Sequence, residues 1–221
     1  MCGIAGVFDP KRELNQKPFL ERMASSLVSR GPDAEGIWMK DSVGFAHRRL
    51  RVMDLDPRSD QPMVNREQSI CVVFNGEIYN YLELKAELIQ KGYQFRTTSD
   101  TEVVVLAYQE WGEQSFLKLN GMFAISIADF RNGEPQFYLI RDRFGIKPLF
   151  YSIYQNQLGF ASDLRALLPL PWVTKKIDPQ ALFWYLKFSH FPNPDSVFSA
   201  IQQLEPGQYL KNTPRGFEKN K

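Results

Sequence analysis

The chain holds 221 residues, 43% of them hydrophobic and 24% charged, which excludes disordered, fibrous and repetitive classes and fits one globular domain or two small ones. Its 27 Lys and Arg against 25 Asp and Glu leave a formal charge of +2, too weak a bias to indicate nucleic acid or an anionic membrane as partner. The N-terminus lacks a signal-peptide pattern and no apolar run approaches the ~20 residues that span a bilayer, so the expected location is the cytoplasm.

An apolar strand is expected over residues 4–8, followed by a helix whose buried stripe is Phe19, Leu20, Met23 and Leu27 and which Gly31-Pro32 ends. Val43, Phe45 and His47 share one face of the next strand, and the β-branched run 70–74 forms another that stops at Asn75-Gly76. Two helices come next. One carries Tyr81, Leu84 and Leu88 and stops near Gly92; the other opens at Ser99-Asp100 and buries Val103, Val104, Leu106 and Ala107 before Gly112. Strands 122–128 and 136–141 flank the hairpin dipeptide Asn132-Gly133, and residues 158–161 offer one more. Strands joined by hairpins, with helices in separate blocks, predict an α+β architecture of layered antiparallel sheets. Beyond Pro171, Asp178-Pro179 opens a helix through Phe188, and a short strand at 208–210 precedes a charged tail.

Cys2 carries the most chemical information. A small residue after the initiator generally permits its removal, which would place a free α-amine beside the thiol. With pKa values of about 7.7 to 8.0 and about 8.5, the amine can take the thiol proton directly or through one water, and no histidine is needed. A buried small residue at a strand end is the competing reading. Cys71 reads as an inert core thiol, a disulfide with Cys2 is not expected, and the two cysteines with His47 and His190 make no metal-ligand spacing. Asn75-Gly76 offers a side-chain amide and an unobstructed N–H for an oxyanion, or else a turn that ends a strand. Arg49 ends a core strand, Glu77 follows the Asn-Gly pair, and Asp100 opens a helix. If they converge, an arginine fork and two carboxylates complement a free amino acid.

Several motifs then follow in order: Cys2-Gly3-Ile4-Ala5-Gly6-Val7-Phe8, RGPD (30–33), AHRRL (46–50), NGEIYN (75–80), SDTE (99–102), LNGMFA (119–124) and RDRFGIKPL (141–149). Together they resemble the glutaminase domain of class II glutamine amidotransferases, in the asparagine synthetase branch, over nearly the whole chain. The resemblance implies the four-layered αββα sandwich of N-terminal nucleophile hydrolases, with residues 1–221 as one glutaminase domain. Residues 178–200 are then a helical excursion and 204–221 a closing strand and tail. It implies hydrolysis of L-glutamine to glutamate and ammonia through a thioester on Cys2. Asn75 and the Gly76 N–H form the oxyanion hole, Arg49 holds the α-carboxylate, Glu77 and Asp100 hold the α-amine, and backbone around Leu50 and Val52 lines the amide. His47 becomes a structural strand residue rather than a protease-type partner of Cys2.

Two departures accompany the resemblance. The family usually has a small polar residue where Arg51 stands and an aliphatic one where Met53 stands. The 221 residues also contain no Ser-Gly-Gly-x-Asp-Ser pyrophosphate loop, so the ATP-binding synthetase half is expected to be a missing domain or partner subunit. No cofactor is expected in this chain, with ATP and Mg belonging to that half. Exposure of the apolar segment around Phe183, Trp184, Leu186 and Phe188 is expected to favour self-association. The rival reading is a non-catalytic glutamine-sensing or scaffold module.

Overall fold

The computed structural model describes residues 1–221. In chain order the elements are β1 (Gly3–Phe8), α1 (Gln16–Ser26), β2 (Ala34–Lys40), β3 (Val43–Arg49), β4 (Met63–Val64), β5 (Ile70–Ile78), α2 (Tyr81–Gln90), α3 (Asp100–Trp111) and α4 (Ser115–Lys118). They continue with β6 (Gly121–Asp129), β7 (Gln136–Arg141), β8 (Phe150–Tyr154), β9 (Gln157–Ala161), α5 (Pro179–Phe188), β10 (Gln202–Gln203), β11 (Tyr209–Thr213) and β12 (Gly216–Asn220). The strands form two six-stranded sheets, ordered β10-β8-β9-β1-β3-β2 and β12-β11-β7-β6-β5-β4. Every pairing in them is antiparallel.

Strand periodicity builds the layers, because alternate side chains leave opposite faces of a sheet. Ile4, Phe8, Val43 and Phe45 of the first sheet meet Cys71, Val73, Phe137 and Leu139 of the second in the central core. The opposite face of the first sheet, with Ala5, Val7 and Ala46, packs on Leu20, Met23 and Ala24 of α1. Val72, Phe74, Ile125 and Ile127 turn outward from the second sheet onto Leu84 and Leu88 of α2 and the valines of α3. The result is the expected αββα stack. Helix starts follow the sequence: Ser99 Oγ accepts from the Thr101 N–H, and Asp178 accepts from the N–H groups of Gln180 and Ala181 with Pro179 in the first turn.

The structure differs from the sequence reading mainly in four places, and the short β4, α4 and β10 were also not anticipated. β5 does not stop at Asn75-Gly76 but runs on to Ile78, paired throughout with β6. The α1 helix ends at Ser26 rather than at Gly31-Pro32; the hydroxyls of Ser25 and Ser26 turn back onto the carbonyls of Glu21 and Arg22. The charged tail is strand β12, paired with β11. Finally, β2 and β8 were not anticipated, because β2 is a half-exposed edge strand and β8 leaves Ile153 and Tyr154 in solvent, so neither shows clean alternation. The apolar helix α5 buries only Ala181 and leaves Phe183, Leu186 and Phe188 exposed as expected, whereas Trp184 is half-buried and stacks on Phe188.

The motif RDRFGIKPL is a folding device. Asp142 is fully buried, and its carboxylate accepts from the backbone N–H groups of Phe123, Phe144, Ile146 and Lys147. Arg141 donates to the carbonyls of Lys147, Gly145 and Leu204, tying the loop to the segment that leads into β11. Removing the carboxylate orphans several buried donors, so Asp142→Ala is expected to cost about 3 kcal/mol or more in urea unfolding. A loss within the ordinary surface range of about 0.5 kcal/mol would contradict this role.

Candidate active site

β1, β3 and β5 bring their ends to one cavity of about 190 Å³. Cys2, Arg49, Leu50, Val52, Asn75, Gly76, Glu77 and Asp100 all line it, so the structure gathers every site residue named from the sequence. Met1 and Lys147 also border it, and neither was anticipated.

Cys2 stands just ahead of β1, where Gly3 pairs with Arg48 of β3. The Leu50 N–H donates to its Sγ at 3.5 Å, and Arg30 Nε donates to its carbonyl at 3.2 Å. The rest of the RGPD motif braces the same corner. A Cβ on Gly31 would lie 2.3 Å from the Arg48 carbonyl, the Asp33 N–H donates to the Arg49 carbonyl, and the Asp33 carboxylate accepts from the Arg51 N–H. Burial pushes the Cys2 thiol pKa up, with the Leu50 bond working against it, so the thiol needs a base. His47 is not that base. It is buried, lies outside the cavity lining, and its pKa is driven down by burial to about 3.

Across the cavity, β5 presents its open edge. β4 covers this strand only at Cys71 and Val72, so the donors beyond must find other partners. Gln61 serves Phe74 like an extra strand residue, accepting from its N–H at 2.6 Å and donating to its carbonyl at 3.1 Å. Asp100 accepts the Ile78 N–H at 3.0 Å. Strand N–H groups alternate sides, so the Gly76 N–H lies on the same edge between those two. Gly76 must be glycine: a Cβ would sit 2.1 Å from the Met122 carbonyl oxygen of β6. Beside it, the buried Asn75 amide nitrogen has no hydrogen-bond partner. An orphaned buried donor is costly and marks a place where an acceptor belongs.

The cations and acids are arranged less symmetrically. Asp100 is buried, and its pKa is pushed up to about 6, first by burial and further by the neighbouring Glu77 carboxylate. Glu77 is itself raised by burial, with Lys147 pulling the other way. Arg49 is not a free fork. Its Nη1 donates to Asp60 Oδ1 at 2.5 Å and to the Asp56 carbonyl at 3.3 Å, while Nη2 donates to the carbonyls of Met53 and Asp54. The buried Lys147 ammonium contacts the Met1 sulfur at 3.3 Å. No group of three or more His, Cys, Asp or Glu is placed to hold a metal ion.

The whole chain, residues 1–221, matches the family described as "Glutamine amidotransferase domain". The chain belongs to that family. It is 37% identical to asparagine synthetase [glutamine-hydrolyzing] 1 of Bacillus subtilis over 219 residues, covering 98% of this chain and 34% of that protein. It is 38% identical to asparagine synthetase B [glutamine-hydrolyzing] of Escherichia coli over 189 residues, covering 83% of this chain and 33% of that protein. The chain therefore spans about a third of the length of such relatives. Among solved structures, the fold matches glutamine phosphoribosylpyrophosphate amidotransferase from B. subtilis, with a TM-score of 0.71 at 18% identity, over 100% of this chain and 49% of that one. The αββα stack thus matches the fold of that amidotransferase.

In this amidotransferase domain, Lys147 and Gln61 escaped the sequence reading for different reasons. Lys147 lay inside a recognised motif whose loop carries it to the cavity, and Gln61 gave no sequence signal because its role depends on where β4 ends. The carboxylates give a testable pH effect. The folded domain holds the Asp100 proton up to about pH 6, whereas the unfolded chain releases it near the ordinary value of 3.8. As pH rises from about 4 to 6 the unfolded state ionises first, so this residue subtracts stability over that window. Asp100→Asn should therefore be more stable than the parent at pH 7, with the gap closing by pH 4 in urea unfolding. A constant gap across that range would show that Asp100 is not held protonated.

Proposed function

We propose that this domain hydrolyses L-glutamine to glutamate and ammonia, with Cys2 as an N-terminal nucleophile once Met1 has been removed. The observation that carries this reading is the buried Asn75 amide nitrogen, unpartnered in a cavity that Cys2 also lines. The thiol proton passes to the α-amine of Cys2, and Sγ attacks the glutamine side-chain carbonyl. The resulting oxyanion is met by Asn75 Nδ2 and the Gly76 N–H, whose charge stabilisation is already in place before reaction. The ammonium formed at Cys2 returns its proton to the departing nitrogen, ammonia leaves, and water cleaves the thioester to give glutamate. Arg49 is assigned the α-carboxylate, Glu77 and Asp100 the α-ammonium, and the Leu50–Val52 backbone the side-chain amide. An ammonium also favours ionised Asp100, relieving the desolvation that raises its pKa.

The names of the longer relatives support a further assignment: the ammonia is consumed by an ATP-dependent synthetase domain that amidates aspartate or a related carboxylate. The exposed Phe183, Leu186 and Phe188 of α5 supply an apolar surface for such a partner or for a second copy. A catalytic free thiol also suits a reducing, cytoplasmic setting.

Purified protein incubated with glutamine should release glutamate and ammonia, and Cys2→Ala should abolish both. Glutamine binding without turnover by the parent would favour a sensing module instead. Asn75→Ala should lower kcat roughly 10²–10³-fold with a smaller change in KM, because its bond strengthens only as the oxyanion forms. Arg49→Ala should instead raise KM more than it lowers kcat, since its bond is present in ground and transition states alike. Equal losses on both parameters in both variants would overturn this division of roles.

A further inference from the structure

Arg49 has its Nη1 and Nη2 donors engaged while its Nε–H makes no hydrogen bond, so a ligand carboxylate can take both terminal nitrogens only if a present partner lets go. Three of its four terminal contacts are backbone carbonyls of residues 53–56, which fix the loop, and the fourth is the Asp60 carboxylate. Asp60, which lies outside the cavity lining, is therefore the one side-chain anion bonded to Arg49. It is also shared: Oδ1 accepts from Arg49 Nη1 at 2.5 Å, while Oδ2 accepts from Arg51 Nη2 at 2.8 Å. Arg51 has a second donor in the same fork, since its Nε is buried and has no partner. Its backbone is anchored independently, the N–H donating to Asp33 at 2.8 Å. A guanidinium that binds a carboxylate through one edge nitrogen and leaves the other unpaired has an incomplete bidentate pair.

We propose that Asp60 stands in for the substrate α-carboxylate and that Arg51 is the positioning residue that takes it over. Before substrate enters, Asp60 bridges the two arginines. When a carboxylate reaches Arg49, Asp60 turns onto Arg51 and pairs with both Nη2 and Nε. The orphaned Nε is satisfied, Arg49 Nη1 is freed, and no carboxylate is left unpaired in a partly buried site. Without Arg51, displacement would strand Asp60, and substrate would bind more weakly. Asp60 remains ionised for this purpose: burial opposes its charge, but the bonds from Arg51 and then Arg49 outweigh it and lower its pKa.

This exchange rests on the glutaminase reading and on Arg49 as carboxylate anchor, and its test separates the three. Steady-state kinetics are compared for the parent, Arg49→Ala, Arg51→Leu, Arg51→Lys and Arg51→Leu combined with Asp60→Asn. The substrates are L-glutamine and 4-aminobutanamide, its analogue without the α-carboxylate. Arg51→Leu should raise the glutamine KM about tenfold, with a much smaller loss in kcat, a size appropriate to one charge-assisted bond. Arg51→Lys keeps the charge but lacks the planar fork, so it should resemble Arg51→Leu. Adding Asp60→Asn removes the stranded charge and should bring KM back to within about threefold of the parent, a coupling that independent structural damage would not produce. The analogue, lacking a carboxylate, should be indifferent to Arg51. A parent-like Arg51→Lys would show that only charge matters, and an unrescued double variant would show that Arg51 merely supports the loop; either overturns the exchange. If Arg49→Ala leaves the glutamine KM unchanged, the anchor assignment fails and the exchange with it. A parent protein that does not turn over glutamine sinks the glutaminase reading itself.

Discussion

An unpaired strand edge organises this site. β5 continues for several residues after β4 leaves it, and backbone donors that face neither water nor a neighbouring strand must be given partners. The amide of Gln61 closes the edge at Phe74, and the carboxylate of Asp100 closes it at Ile78. Between them lies Gly76, packed so tightly against β6 that it can carry no side chain, with the unpartnered Asn75 amide beside it. Extending β4 by a few residues would pair this edge and remove the cavity wall. The donors of the proposed oxyanion hole are therefore set by where one strand ends, and they are held by a sheet rather than by a mobile loop.

The charges around that edge share a second feature: the domain keeps them under strain or provisionally paired. Asp100 and Glu77 both have pKa values raised by burial. Arg49 is engaged by its own loop and by Asp60, and Lys147 reaches only the sulfur of Met1. A domain selected only for stability would not place a half-buried Glu77 beside the buried Asp100, and the proposed α-ammonium between them would offset that cost. Met1 fits the same pattern. It borders the cavity and blocks the amine that the proposed mechanism requires, so its removal would both open the site and create the base.

Much of this was legible in the sequence. An apolar run at 4–8, alternation in 43–48 and the hairpin dipeptide Asn132-Gly133 after 122–128 located three core strands, and the helical spacing of Leu84, Leu88, Val103 and Ala107 identified the helices that cover the second sheet. Chemistry alone left Cys2 and Asn75-Gly76 open between a site and an ordinary strand end; the ordered motifs assigned them, with Arg49, Glu77, Asp100 and the Leu50 to Val52 backbone, through the family resemblance. Local sequence failed where tertiary context decides. Asn75-Gly76 has the composition of a turn, yet it sits inside a nine-residue strand because β6 pairs with it throughout. The engagement of Arg49 was equally invisible, since it depends on the path of residues 53–60 rather than on any motif. Gly31 read as a helix stop, whereas its function is to let the chain pass against Arg48.

The account's central claim is that Cys2, with its own α-amine exposed, is the nucleophile facing the Asn75-Gly76 edge. Peptide mass spectrometry after treatment with a diazoketone analogue of glutamine tests this most directly, because one spectrum reports both the processed N-terminus and the alkylated residue. The predicted result is a single adduct on an N-terminal Cys2 that has lost Met1, forming in step with loss of glutaminase activity and prevented by excess glutamine. Active protein that retains Met1, or inactivation accompanied by labelling at Cys71 with Cys2 unmodified, would contradict it.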